Sequence, residues 1–132
     1  MVEPVWLDLE TVLKIHELIL NEFGGMPGIR DLGLLESALA RAQWLCEFES
    51  EADLHRLGAA YAFGIAKNHP FVDGNKRVSY LSAYTFLRYN RWHVAARQAD
   101  AVRAMLALAS GSMSEPDFAA WLRGHSEAVE PG

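Results

Sequence analysis

The chain has 132 residues, of which 51% are hydrophobic and 22% are charged, and its net charge is −5 at pH 7. This length predicts one domain, residues 1–132, with one hydrophobic core, and the composition is ordinary for a water-soluble globular protein. The negative charge argues against a general nucleic-acid-binding protein, because affinity for the phosphate backbone needs clustered Lys and Arg.

Two helices are predicted in the first third of the chain. Asp8 is placed to cap a helix that runs to about residue 23, and Asp31 to cap a second one through about residue 45. The apolar face of the first helix is formed by Val12, Ile15, Ile19 and Phe23. His16 lies near this face and is interpreted as a packed, hydrogen-bonded residue. Arg30 and Asp31 are expected to form an ion pair that fixes the connection between the two helices.

The middle of the chain indicates a buried central helix, residues 54–68. Gly58 and Gly64 lie inside it, and each costs roughly 1 kcal/mol relative to alanine in a helix, so we expect close helix packing there. Residues 78–89 repeat the helical period. Further on, a short extended piece at 92–94 precedes a helix that ends near Gly111, and Ser114 begins a last helix. No segment has a convincing strand pattern, which predicts an all-α fold of about six or seven helices.

The expected compartment is the cytoplasm. Cys46 is the one cysteine, which excludes an intrachain disulfide and fits a reducing environment. The first residues lack the basic and apolar regions of a signal peptide, and no apolar run approaches the length of a membrane span.

Residues 69–77, between the two central helical segments, carry most of the chemistry, and their sequence is HPFVDGNKR. Pro70 disfavours helix for His69, and Asp73 with Gly74 favours a turn, which predicts a loop that opens a new helix. Lys76 and Arg77 fall in the first turn of that helix, where a cation costs roughly 0.3–1 kcal/mol because the free N–H groups carry partial positive charge. A bound phosphate reverses this cost.

The other polar residues of the loop suit the same ligand. Asn75 adds a neutral donor, and Gly74 lets the backbone approach an anion closely. Asp73 suits a phosphate that carries Mg²⁺, and His69 is able to take a proton near neutral pH. Composition alone leaves a structural alternative open, in which His-Pro is an ordinary turn and Asn-Lys-Arg is a solvated helix start.

These residues resemble the signature of the Fic/Doc superfamily, a His-x-Phe-x-Asp-Gly-Asn stretch that joins two central helices. The next residues are usually Gly-Arg in the Fic branch and Lys-Arg in the death-on-curing (Doc) branch, and this chain has Lys76 and Arg77. Residues 24–43, GGMPGIRDLGLLESALARAQ, resemble the N-terminal Doc signature, with Leu32 and Ala42 where proline is common. The resemblance covers nearly the whole chain and implies the Fic/Doc fold, a compact helical bundle around a central helix–loop–helix motif.

The resemblance to Doc proteins implies a toxin of a type II toxin–antitoxin pair. Such a toxin is a kinase that transfers the terminal phosphate of ATP to a threonine of elongation factor Tu and so blocks translation. Its partner would be a Phd-like antitoxin, whose disordered C-terminal segment folds on the toxin. The implied catalytic set is His69, Asp73, Lys76 and Arg77, and the implied nucleotide-binding set is Gly74, Asn75, Lys76 and Arg77. In these sets His69 would be the base, Asp73 would hold Mg²⁺, and Phe71 would anchor the loop in the core.

Two alternatives stay open at this point. The same residues could transfer AMP, as Fic enzymes do, although Lys76 in place of glycine argues against it. A non-catalytic toxin could instead bind the translation machinery. An internal Ser/Thr-x-x-x-Glu-Gly/Asn inhibitory motif, frequent in the superfamily, is not found, because the nearest candidate, Ser110 to Glu115, has the wrong spacing. Restraint is therefore expected to come from outside the chain.

Overall fold

The computed structural model describes residues 3–130. Residues 1–2 and 131–132 of the predicted domain lie outside the described part. Its helices are α1 (Leu9–Phe23), α2 (Leu32–Phe48), α3 (Leu54–Asn68), α4 (Asn75–Tyr89), α5 (Gln98–Ser110) and α6 (Glu115–Gly124). Two short strands, β1 (Trp92–Val94) and β2 (Ser126–Ala128), complete the elements of this part. The prediction of a helical bundle is confirmed.

The first three helices begin at aspartates that cap them. Asp8, Asp31 and Asp53 each have an extended backbone, and each side chain accepts a hydrogen bond from the N–H three residues later. Such caps satisfy one of the four free N–H groups at a helix start. The predicted starts of α1 and α2 are therefore confirmed.

Helix α3 is the centre of the bundle and packs against α2, α4, α5 and α6. A Cβ on Gly64 would lie 3.1 Å from the Cα of Ala38 in α2, so the two helix backbones are in close contact there. The close packing expected from the two glycines is thus confirmed at Gly64. Tyr61, Ile65 and Phe86 are among the fully buried side chains of this core.

The two strands correct the expectation that no strand exists. They pair antiparallel, with Trp92 opposite Ala128 and Val94 opposite Ser126. Each is three residues long, and Ser-Glu-Ala has little strand propensity. The pair forms because the chain after α6 runs back beside the residues that follow α4.

The connection between α1 and α2 lies along the loop between α3 and α4. Ile29 and Phe71 form an isolated antiparallel bridge. The N–H of Val72 donates to the carbonyl of Gly28 at 3.0 Å, and the N–H of Arg30 donates to the carbonyl of Pro70 at 2.7 Å. Two segments far apart in sequence therefore form one rigid surface. None of the helices within residues 3–130 combines the length and apolarity needed to cross a bilayer.

Candidate functional site

The loop joins the end of α3 to an uncapped start of α4. Gly74 occupies the N-cap position in the left-handed region, with φ 83° and ψ 9°, and no side chain caps the helix. The first main-chain bond of α4 runs from the N–H of Val78 to the carbonyl of Gly74 at 3.0 Å. The N–H groups of Asn75, Lys76 and Arg77 precede that bond, and they give this end of α4 a partial positive charge.

Lys76 and Arg77 add two full positive charges to the same turn, which contains no acidic residue. Both side chains are exposed. The Arg77 guanidinium lies over the ring of Phe23, with 4.1 Å between its Cζ and the ring centroid, a cation–π contact. Phe23 was predicted on the apolar face of the first helix but is 52% exposed, and its ring contacts Arg77 at the surface. The uncapped turn and its cations form a surface suited to an anion.

Asp73 lies beside this turn and is held by main-chain donors. Its Oδ1 accepts from the N–H of Gly74 at 2.9 Å, and its Oδ2 accepts from the N–H of Met26 at 3.2 Å. A Cβ on Gly25 would be 2.9 Å from Oδ2, so the absence of a side chain at residue 25 lets the carboxylate fit. Each oxygen keeps a second lone pair, and the carboxylate is exposed. It is therefore able to ligate a cation.

Asn75 has a different position from the one expected. Its side chain is buried, its Oδ1 accepts from the N–H of Phe71 at 3.0 Å, and its Nδ2 donates to the carbonyl of Phe71 at 2.9 Å. The amide therefore shapes the loop and draws Phe71 into the core, where that ring is 1% exposed. The backbone N–H of Asn75 belongs to the first turn of α4 and is a donor for an anion there.

His69 ends α3 in the left-handed region, with φ 47° and ψ 56°, and its side chain is exposed. Arg30 holds this end of the helix: its Nε donates to the carbonyl of His69 and its second guanidinium nitrogen to that of Asn68, both at 2.7 Å. The expected ion pair of Arg30 with Asp31 is wrong. Asp31 caps α2 instead, and the guanidinium is favoured by the partial negative charge at a helix C-terminus.

The side chains of His69, Asp73, Lys76 and Arg77 are all exposed along this loop, whereas that of Asn75 is buried. The structure also adds partners that the sequence did not indicate. His16 was expected to be packed and hydrogen-bonded, and it bonds to the backbone of Asp73. Arg30 was expected to pair locally and instead binds the loop. Both residues are polar and lie in segments that pack against the loop, and this is the sequence feature that could have suggested their contacts. The sequence does not show which carbonyl group accepts each hydrogen bond.

A cavity in the described part of the chain lies away from the loop. It has a volume of about 1060 Å³, and its walls include Leu54 and Leu57 of α3 and Trp92 of β1. These residues are at the opposite ends of α3 and α4 from the loop, and no residue of 69–77 lines it. This cavity is therefore separate from the candidate site, whose charged side chains are exposed.

Comparison with known proteins agrees with this geometry. Residues 6–87, which include the whole loop, match the model of the Fic/DOC family. The chain belongs to the Fic/Doc family. The fold that the sequence implied, helices around a central helix–loop–helix, is therefore confirmed.

Two Fic/Doc relatives are similar along much of the chain. "Toxin Doc" of Mycolicibacterium smegmatis (strain ATCC 700084 / mc(2)155) is 36% identical over 131 residues, which cover 96% of this chain and 98% of that protein. "Protein kinase doc" of Escherichia phage P1 is 36% identical over 81 residues, which cover 61% of this chain and 64% of that protein.

The Fic/Doc loop of this chain offers one carboxylate to a metal. Within residues 3–130, no group of three or more His, Cys, Asp or Glu residues is arranged to hold a metal ion. Mg²⁺ commonly takes one or two carboxylates together with phosphate oxygens and waters. Asp73 fits that pattern, provided that a nucleotide supplies the phosphate oxygens.

Proposed function

We propose that this protein is a toxin of a type II toxin–antitoxin pair and that it transfers the terminal phosphate of ATP to a threonine of elongation factor Tu. The observation that carries the proposal is the uncapped first turn of α4, which contains Lys76 and Arg77 and lies one loop away from the exposed His69. The names of the two relatives, a protein kinase and a toxin, support it. It would act in the cytoplasm, where ATP and the elongation factor are available.

In the proposed reaction, the threonine hydroxyl attacks the terminal phosphorus of ATP. The bond from the hydroxyl oxygen to phosphorus forms, the bond from phosphorus to the bridging oxygen breaks, and ADP leaves. His69 accepts the hydroxyl proton, a role suited to an imidazole near neutral pH. Lys76, Arg77 and the free N–H groups of α4 stabilise the charge on the transferred group, which is the main demand of phosphoryl transfer.

Asp73 would hold Mg²⁺, which neutralises part of the phosphate charge when bound. The protein prepares this carboxylate by fixing both of its oxygens with the N–H groups of Gly74 and Met26. An aspartate held in this way needs no rearrangement when the nucleotide arrives, which is the advantage of a preorganised site.

Lys76 decides between phosphate and AMP transfer in this proposal. A glycine after Asn75 leaves room for a diphosphate along the helix start, so that the inner phosphate faces the base. The four methylenes and point charge of a lysine fill that room. The terminal phosphate is then favoured at the start of α4, facing His69.

An antitoxin of the Phd type would cover the apolar surface around the loop. Exposed apolar side chains flank the loop on the α1 side: Phe23, Met26, Ile29 and Val72. Apolar residues grouped around a charged site are typical of a protein-binding surface. A segment that folds on binding could cover them as a helix in a groove.

The test is transfer to purified elongation factor Tu, measured with ATP labelled at the terminal phosphate and with ATP labelled at the inner phosphate. We expect label from the terminal position only, and intact mass of the factor then distinguishes phosphate from AMP. His69→Ala should abolish transfer, Lys76→Gly should abolish it or shift it toward AMP, and the exposed variant Arg97→Ala, remote in the chain, should behave as the wild type.

Each other outcome rejects a defined part of the proposal. An AMP adduct with the unmodified protein would overturn the orientation assigned to ATP. No transfer, together with growth arrest by folded His69→Ala, would identify a non-catalytic toxin. An isolated protein that is harmless when expressed without a partner would contradict restraint by an antitoxin.

A further inference from the structure

His16 is a buried polar residue on the apolar face of α1. It is 6% exposed, and Val12, Ile15 and Ile19 of the same face are buried with it. A polar ring in such a place is costly unless it finds a hydrogen-bond partner. Its partner belongs to the loop, 57 residues later in the chain.

The imidazole contacts the loop at three points. Its Nε2 lies 2.9 Å from the carbonyl oxygen of Asp73. Its ring stacks on Phe71, with 4.0 Å between the centroids and 15° between the planes. A Cβ on Gly74 would lie 3.7 Å from its Cδ2, so the ring also borders the N-cap of α4. Because a carbonyl only accepts, Nε2 carries the proton in this contact.

This bond fixes the peptide plane between Asp73 and Gly74. The two polar groups of a trans peptide point in opposite directions, so a carbonyl held by His16 directs the N–H of Gly74 away from α1. That N–H donates to the Oδ1 of Asp73 at 2.9 Å. The imidazole therefore acts on the carboxylate of Asp73 through one peptide group.

A rotated peptide would disturb the site. Glycine at 74 makes rotation possible, since glycine adopts positive and negative φ with similar ease. After rotation the carbonyl oxygen of Asp73 would point toward its own carboxylate, and repulsion would displace that carboxylate. Gly74 would also leave the φ of 83° from which α4 begins.

We propose that His16 is a positioning residue that keeps the Asp73–Gly74 peptide, and with it the carboxylate and the first turn of α4, ready for a nucleotide phosphate. The inference rests on the proposed phosphate-binding function. In this inference α1 positions the loop as well as packing against it. An apolar residue at position 16 would fill the same space but would not donate a hydrogen bond to the carbonyl of Asp73.

Two variants test the stacking of the His16 ring and its hydrogen bond separately. His16→Phe keeps a ring that can stack on Phe71 but has no donor, and His16→Gln keeps a donor without the ring. Val12→Ala is the matched control, since it removes buried volume from the same face of α1 one turn away. If the Phe variant does not fold, His16→Met replaces it, because methionine is apolar and adapts to irregular space.

The measurement uses the backbone amide resonances of residues 74–77, first without ligand and then during titration with ATP. In His16→Phe we expect these resonances to move and the ATP concentration for half saturation to rise roughly 10- to 100-fold, the loss typical when a group that orients a ligand-binding side chain is removed. His16→Gln should recover part of the loss, and Val12→Ala should bind ATP as the wild type does.

Failure of this inference can be distinguished from failure of the proposed function. If the wild type does not bind ATP, the proposed function fails, while the amide resonances without ligand still decide whether His16 holds the loop. Unchanged resonances in His16→Phe, relative to Val12→Ala, would overturn the inference. Moved resonances with unchanged ATP affinity would overturn it as well, because the loop position would then not matter for the phosphate.

Discussion

His69 combines a strained backbone with a side chain that the fold does not need. Its φ of 47° lies in the left-handed region, which is unfavourable by about 1–2 kcal/mol for a residue with a Cβ. The imidazole is exposed and the guanidinium of Arg30 holds the main chain in place. Strain retained at an exposed histidine supports a functional reason for this residue type.

We expect His69→Gly to abolish phosphate transfer and to be about 0.5–1 kcal/mol more stable than His69→Ala. Glycine relieves the left-handed strain, and its greater freedom in the unfolded chain cancels part of the gain. Urea denaturation of the two variants measures the difference. A glycine variant that is less stable than the alanine variant would show that the backbone of residue 69 is not strained.

The chemistry of single residues was predictable, and their partners were not. HPFVDGNKR predicted a loop, a helix start with two cations in its first turn and a proton acceptor, because each depends on neighbours in the sequence. Asn75 was assigned to a phosphate, but its amide bonds to Phe71, a choice that only the closed loop reveals. The guanidinium of Arg30 likewise donates to the carbonyls at the end of α3, which are 38 and 39 residues away in the sequence.

At the scale of elements, α3 owes its central place to residues small enough for another helix to approach. Gly64 faces Ala38 of α2, where a Cβ would meet the Cα and Cβ of Ala38 at 3.1 Å and its carbonyl oxygen at 3.2 Å. Gly58 faces Leu87 and Leu122, whose side chains are movable, at 3.3 Å or more. The two glycines of one helix therefore have different tolerance for a methyl group.

Gly64→Ala should destabilise the protein by about 1–3 kcal/mol, since the backbone of α2 must move and overpacking costs that much. Gly58→Ala should be close to neutral, because the gain in helix propensity, about 1 kcal/mol, offsets a small shift of Leu87. Thermal denaturation of both variants tests the difference. Equal destabilisation by the two substitutions would show that the close approach of the α2 backbone does not restrict the size of the side chain at residue 64.

Asp53 links two elements, because it caps α3 and binds Arg123 of α6. Its Oδ2 accepts from the Nε of Arg123 at 2.6 Å, and its Oδ1 accepts from the N–H of Arg56 at 2.8 Å. Partial burial acts to raise the pKa of Asp53, but these hydrogen bonds outweigh burial and hold it below its usual range. The ionised carboxyl is therefore favoured by folding.

The stability that Asp53 contributes is present above the usual carboxyl pKa and is lost as the pH falls through the lower pKa of the folded protein. Asp53→Asn keeps a good cap and should cost about 0.2–1 kcal/mol at pH 7, and its acid unfolding should be less steep than that of the wild type. Asp53→Ala also removes the cap and should cost about 1 kcal/mol more. Urea midpoints at pH 7 and at about pH 3 test this, and identical pH profiles for wild type and Asp53→Asn would contradict it.

At the scale of the whole molecule, a buried carboxylate joins three helices. Glu115, at the start of α6, is 5% exposed. Its Oε1 accepts from the Nε of Arg41 in α2 at 3.0 Å, and its Oε2 accepts from Arg56 in α3. Arg56 also pairs with Glu49 at 3.3 Å. This cluster connects the last helix to the bundle by charge as well as by apolar packing.

Glu115→Gln should destabilise the protein by about 1.5–3 kcal/mol, because it removes the charge that both guanidinium groups share, although Arg56 keeps Glu49 as a partner. Arg41→Ala should cost less, since the side chain of Arg41 is 36% exposed and water compensates for part of the loss. Chemical denaturation of the two variants gives the comparison. A smaller loss for Glu115→Gln than for Arg41→Ala would indicate that the carboxylate is not the centre of the cluster.

The arrangement of elements could be predicted only in part. Aspartate caps and helical periods gave the helices, since both signals are local. The strand β2 was not found because Ser126–Ala128 has no strand pattern of its own and depends on pairing with β1. Glu115 was recognised as part of a helix start, but its burial follows from the position of α6 against α2 and α3, which no local pattern contains.

The residues near the two ends of the described chain are held side by side. The N–H of Val5 donates to the Oδ1 of Asn90 at 2.8 Å, and the N–H of Val129 donates to the carbonyl of Arg91 at 2.8 Å. Both anchors follow α4, a helix of 15 residues that is about 22 Å long, and residues 69–77 lie at its other end. A short linker could therefore join the ends in a circular permutant, with new termini opened in the polar connector between α2 and α3. Tags or fused domains attached near Val5 or Val129 would likewise leave residues 69–77 accessible.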